Sequence, residues 1–163
     1  MSVNWTPRDW ANGLDVLDSH LDTEIRDPWT GIQAAWDSSW APGTSWTGST
    51  TNPVLNNGTT YGRFLQIGKT ILWEGRITPG TTTTFGSGTY SFTPPVAPAS
   101  TSQMIGSADL GNSGVINLGS VQWVPGTGVR VRFHGASGAW SPTVPLTFSS
   151  AHTIYFWGQY EAA

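Results

Sequence analysis

Cysteine is absent from the 163 residues. That excludes disulfide staples, thiolate metal sites and a cysteine nucleophile. Nowhere do 18 apolar residues run together, which excludes a transmembrane helix and leaves membrane insertion out of the expected partners. The 7 Lys and Arg residues never cluster, and the net charge is −3. Phosphate binding needs a concentrated basic surface, so nucleic acid is not an expected partner. The opening Met1-Ser2-Val3-Asn4-Trp5 has no basic stretch followed by an apolar run, and no secretory signal is expected there.

Charge itself is scarce over most of the chain. Seven of the 10 carboxylates lie in residues 1–37, where Arg8 and Arg26 face them for a formal −5. Beyond that point Arg63, Lys69, Arg76, Arg130 and Arg132 face only Glu74, Asp109 and Glu161, a formal +2. A charged, helix-forming head and a charge-poor, turn-rich body point to two parts: an anchoring and oligomerisation segment over 1–40 and a β domain over 41–163. A body of about 120 residues can bury its own core.

In the head, Thr6 followed by Pro7 with Asp9 three residues on is a helix-start pattern. Leu14, Leu17, Leu21 and Ile25 then recur at helical spacing on one stripe, with Asp15, Asp18, Asp22 and Glu24 on the other side. Pro28 ends or kinks this helix. An isolated helix of about 15 residues is marginal in water, so the stripe needs a cover. The two covers are the chain's own β domain and the same helix from sister subunits, and self-association is the reading we take. Arg26 and Asp27 form an expected ion pair between subunits. Five of the ten tryptophans, Trp5, Trp10, Trp29, Trp36 and Trp40, precede the β body. They fit either the groove between head and body or an anchoring interface, to which we assign Trp5, Trp10, Trp29 and Trp36.

From residue 41 onward short strand patterns alternate with turn signals. Tyr61–Ile67 and Thr70–Thr78 make the clearest pair. In the second, Ile71, Trp73 and Ile77 fall on one face while Glu74, Arg76 and Thr78 fall on the other. Further strands are expected at Gly88–Thr93, Ser102–Leu110, Gly114–Val124, Gly128–His134, Val144–Phe148 and His152–Tyr160. The fold class read from this is mainly β, a short N-terminal helical segment followed by an antiparallel, jelly-roll-like sandwich.

Catalytic residues are hard to assemble from what remains. His20, His134 and His152 are far apart in sequence and lack metal-ligand spacing. Glycoside cleavage needs two carboxylates, for which the body offers Glu74, Asp109 and Glu161, and the strand alternation pairs Glu74 with Arg76. No nucleophile elbow is present, and the Gly-x-Gly fragments lack a following helix. The expected catalytic, metal and cofactor sets are therefore empty. Rings beside Thr, Asn and Gln are a common sugar-holding surface. The candidates are Trp46, Tyr61, Trp123 and Trp140, and from these Trp140, Trp123 and Tyr61 are taken as glycan-binding. Trp140 stands between small neighbours in one of the turns, Gly80–Gly88, Pro94–Ser102 and Gly135–Pro142, expected to form an exposed tip.

Two ordered stretches carry a resemblance. Trp46-Thr47, Asn52-Pro53, Asn57-Gly58-Thr59, Gly62-Arg63-Phe64 and Ile67-Gly68, followed by Thr82–Phe92, resemble a β module of tailed-phage structural proteins. Leu17, His20, Leu21, Ile25, Arg26 and Asp27 resemble a helix near the start of many actinobacteriophage minor tail or fibre proteins, with Asp18 where that pattern has Asn. The matches cover roughly residues 5–93. The resemblance implies a homotrimeric, surface-exposed virion component, made in the host cytoplasm, on a tail or as a capsid decoration. Its partners would be itself, other tail or capsid proteins and host cell-envelope glycan. A glycan depolymerase and a free sugar-binding module are the alternatives from other classes.

Overall fold

A computed structural model describes residues 36–99, 101–112 and 115–163. The expected head helix, with Leu14, Leu17, Leu21, Ile25, Arg26 and Asp27, lies outside the described residues, as do Trp5, Trp10 and Trp29. Trp36 is described and partly exposed. Asp37–Ala163 forms one compact unit.

This unit is mainly β, with antiparallel sheets. Its strands are β1 (Thr47–Gly48), β2 (Thr59–Ile67), β3 (Thr70–Thr78), β4 (Tyr90–Ser91), β5 (Gln103–Asn112), β6 (Val115–Val124), β7 (Gly128–Phe133) and β8 (Thr153–Glu161). Six of them form one sheet in the order β2-β3-β8-β5-β6-β7, and β1 pairs with β4 in a two-stranded ribbon. The final strand thus fills the gap between the β2–β3 hairpin and the β5-β6-β7 meander. The β2–β3 loop is only Gly68-Lys69, with Ile67 opposite Thr70. Gly68 takes φ 60 there, the positive φ that such a two-residue hairpin requires at its first central residue.

Strand alternation places one set of side chains inward. Ile71, Trp73 and Ile77 of β3 are buried, as are Ile154, Phe156 and Tyr160 of β8 and Val129, Val131 and Phe133 of β7. The layer over them is mostly irregular chain rather than a second broad sheet. Trp46, Tyr90, Phe92, Trp140 and Phe148, from the ribbon and the long connections, join the same core cluster. Trp40 enters it edge-on against Trp73, centroids 5.5 Å apart, and its Nε1 donates to Thr93 O at 3.0 Å. It fits because Gly62 and Gly75 face each other across β2 and β3. A Cβ on Gly75 would lie 2.8 Å from both Trp40 Cζ3 and Phe156 Cε2.

Two parts of the β-module pattern, the Asn-rich turn and the Thr run, meet in one polar lattice. Asn57 Oδ1 accepts from Thr82 N at 3.0 Å and from Thr82 Oγ1 at 2.7 Å. Asn56 Nδ2 donates to Thr82 O at 2.6 Å, and Thr83 Oγ1 donates to Leu55 O at 2.6 Å. The Asn-rich turn and the Thr run therefore hold each other over the core, which is a structural use for both motifs.

Two expectations are corrected. Val144–Phe148 is not a strand: Pro142 and Pro145 offer no N–H to a ladder, and Val144 makes only an isolated bridge to Ser141. Gly88–Thr93 contracts to the two residues of β4, with Phe92 bridging to Val129.

A candidate ligand-binding face

The outward face of the six-stranded sheet carries side chains in rows, because antiparallel register sets residues opposite one another. One row runs Tyr61, Arg76, Tyr155, Asp109, Leu118 across β2, β3, β8, β5 and β6. The next runs Arg63, Glu74, Trp157, Ser107, Ser120 over the same strands. Neighbours within a row sit about 5 Å apart, the spacing between strands. Tyr61, Tyr155 and Trp157 keep 40%, 44% and 43% of their surface exposed. Together with Glu74 and Arg76 they line an open groove of about 240 Å³.

The polar groups of this face are partly committed. Glu74 Oε1 accepts from Arg63 Nε at 2.7 Å and from the Tyr61 hydroxyl at 3.4 Å. Arg76 is thus not the partner of Glu74, contrary to the alternation argument. Residues two apart on a strand are separated by about 6.5 Å, whereas a residue directly opposite lies at about 4.5–5.5 Å. The cross-strand Arg63 wins. As a half-exposed pair it contributes about 0–1 kcal/mol.

Arg76 instead leans on Tyr155, its Cζ 6.0 Å from the ring centroid. Its Nε is buried without a hydrogen-bond partner, and an unmet buried donor costs about 1–3 kcal/mol. Asp109, on the other side of Tyr155, is partly desolvated, which raises its pKa above the ordinary carboxylate value. Glu74 and Asp109 are held apart by the whole width of β8, with Tyr155 and Trp157 between their strands.

The three rings expected to hold glycan are placed differently. Tyr61 lies in the groove. Trp123 is half-buried and packs against the core. Trp140 is fully buried, which corrects the expectation of an available ring. It stacks on Trp46 at 5.6 Å with an interplanar angle of 6° and meets Tyr90 edge-on at 4.8 Å. Its backbone is fixed as well, the N–H donating to Val131 O and the carbonyl accepting from Tyr90 N, each at 2.8 Å. The connections that hold Trp140 and Phe85 fold over the core and supply side chains to it; they do not form a separate tip.

His134 pairs with Ser120 Oγ at 3.3 Å and His152 with Ser149 Oγ at 2.9 Å, so the two imidazoles have different partners. Among the described residues no three metal-ligating side chains cluster, and no helix is long and apolar enough to cross a membrane.

Tyr155 and Trp157 are absent from the sequence-based site, yet their signal was present. In Thr153-Ile154-Tyr155-Phe156-Trp157 the burial of Ile154 and Phe156 obliges Tyr155 and Trp157 to point outward. Comparisons of the chain with protein-family models, with curated proteins and with solved structures give no match.

Proposed function

We propose that this chain is a non-enzymatic structural and binding protein of a tailed-phage virion. In this reading the head anchors and trimerises it, and the β body presents its sheet face to host-envelope glycan. The observation that carries the binding part is the cluster of three half-exposed rings on two adjacent rows beside Arg76, whose Nε has no hydrogen-bond partner among the described residues. Ring faces stack on the C–H patches of sugars, and flanking carboxylates and amides take the hydroxyls. The virion assignment rests on the resemblance of residues 5–93, with a sandwich-like, cysteine-free body in agreement with it. Tail fibre or tip is the leading location, and capsid decoration the second.

The carboxylate arrangement favours binding over hydrolysis. Glycosidases hold two carboxyl groups about 5–9.5 Å apart across the scissile bond. Here Glu74 is tied to Arg63, and Asp109 stands two strands away, about 10 Å in strand spacing alone. Incubation of the full chain with host-envelope polysaccharide tests this: retention without release of reducing ends is expected. Release of reducing ends that Glu74→Gln or Asp109→Asn abolishes would make the protein a depolymerase.

A further inference from the structure

We infer that the groove between Tyr61, Arg76, Tyr155 and Trp157 selects a saccharide bearing a carboxylate, a uronic-acid unit within a longer glycan. This rests on the glycan-contact reading above and adds the chemical class.

Of the two arginines on the β2–β3 face, Arg63 already has Glu74 at 2.7 Å. Arg76 makes no ion pair among the described residues, although Tyr155 flanks it and its Nε is shut away from water. A guanidinium offers planar N–H pairs that match a carboxylate in fork fashion, which no neutral hydroxyl can equal. A carboxylate entering the groove would meet the terminal N–H pair of Arg76 end-on and neutralise the charge.

Shape points to a sugar ring rather than a large ligand. The groove measures about 240 Å³, below the range of about 300–1,000 Å³ usual for pockets of drug-sized ligands. One ring fits, and the glycan continues over the neighbouring rows. Trp157 and Tyr155 supply the stacking faces on the same strand, one inter-row step apart. Glu74, its side chain 39% exposed, can accept a hydroxyl of the bound ring. Asp109, beyond Tyr155, is placed to do the same for the adjoining one. Leu118, at the end of that row and 56% exposed, extends the apolar path for the chain.

The test is titration of the full chain, followed by Trp fluorescence and calorimetry, with a defined panel. It comprises oligosaccharides of galacturonate, glucuronate and mannuronate, their methyl esters, and poly(glycerol phosphate). At least one uronate should bind, with its methyl ester weaker by about tenfold or more, the loss of one charge-assisted contact. Arg76→Gln should erase that preference and Arg76→Lys should restore it only in part, because the fork is gone. Trp157→Ala should weaken acid and ester alike, with an unchanged melting curve as the check on folding. Equal binding of acid and ester would overturn the carboxylate assignment and leave the glycan reading standing. Binding of poly(glycerol phosphate) alone would overturn it in favour of phosphate. Binding of nothing in the panel, acidic or neutral, would overturn both.

Discussion

Trp46 and Trp140 form a parallel stack inside the body, closed at one edge by Phe148, whose ring lies 5.5 Å from that of Trp140. Neither indole N–H has a hydrogen-bond partner, so shape and area hold the pair rather than polar contacts. Truncation of Trp140 to Ala should therefore cost about 3–5 kcal/mol, which for a body of this size lowers the melting temperature by on the order of 10 °C. Thermal melts followed by circular dichroism check this, and an unchanged melt would return Trp140 to the surface. Tyrosine titration gives a second prediction. Burial pushes the Tyr160 phenol up to about 12 from an ordinary 10.0, against a smaller opposing effect of its hydrogen bond with Val96, and it raises Tyr90 further. Between those pH values the unfolded chain releases protons that the folded chain keeps. Stability is therefore fully present below about pH 10 and falls as pH rises toward 12. Urea melts from pH 8 to 12 should show this decline, and Tyr160→Phe should reduce it in part, Tyr90 keeping its share, while losing about 1 kcal/mol at neutral pH.

At the scale of elements, the β2–β3 hairpin shows what a sequence can and cannot disclose. Its strict alternation, Ile71, Trp73, Ile77 against Glu74, Arg76, Thr78, is a local signal, and β3 spans Thr70–Thr78 as expected. The other long strands were legible for the same reason, to within a few residues. The partner of Glu74 was not, because it depends on register with another strand rather than on spacing within one. Trp140 was misread because small neighbours leave a ring uncrowded locally while saying nothing of Trp46, which arrives from far along the chain. The groove was legible only at Tyr61. Tyr155 and Trp157 line the groove once β8 is inserted beside β3, a non-local event. The slot for Trp40 is likewise a product of pairing, since Gly62 and Gly75 matter only when opposed. Gly75→Ala should destabilise by about 1–3 kcal/mol through overpacking. In a Trp40→Ala background the same change should cost less, because one of the two clashing rings is gone. Chemical denaturation of the four variants in this cycle measures the difference, and strict additivity would contradict the slot.

For the whole molecule, a compact body, Asp37–Ala163, follows a head proposed to hold copies together. Removal of residues 1–36 should leave a body that melts cooperatively but sediments as a monomer, while the full chain sediments as a trimer. A full chain that is monomeric at micromolar concentration would contradict trimerisation and leave the head as a dock on another protein. The location of the protein bears on the central claim more directly than its stability does. Electron microscopy of purified phage particles, with gold-labelled antibody raised against residues 37–163, decides it. The account predicts gold on the particle surface, at the tail fibre or tip if the sheet face contacts the host and over the capsid if it decorates. Particles that bind no gold, and that contain no peptide of this chain by mass spectrometry, would contradict it.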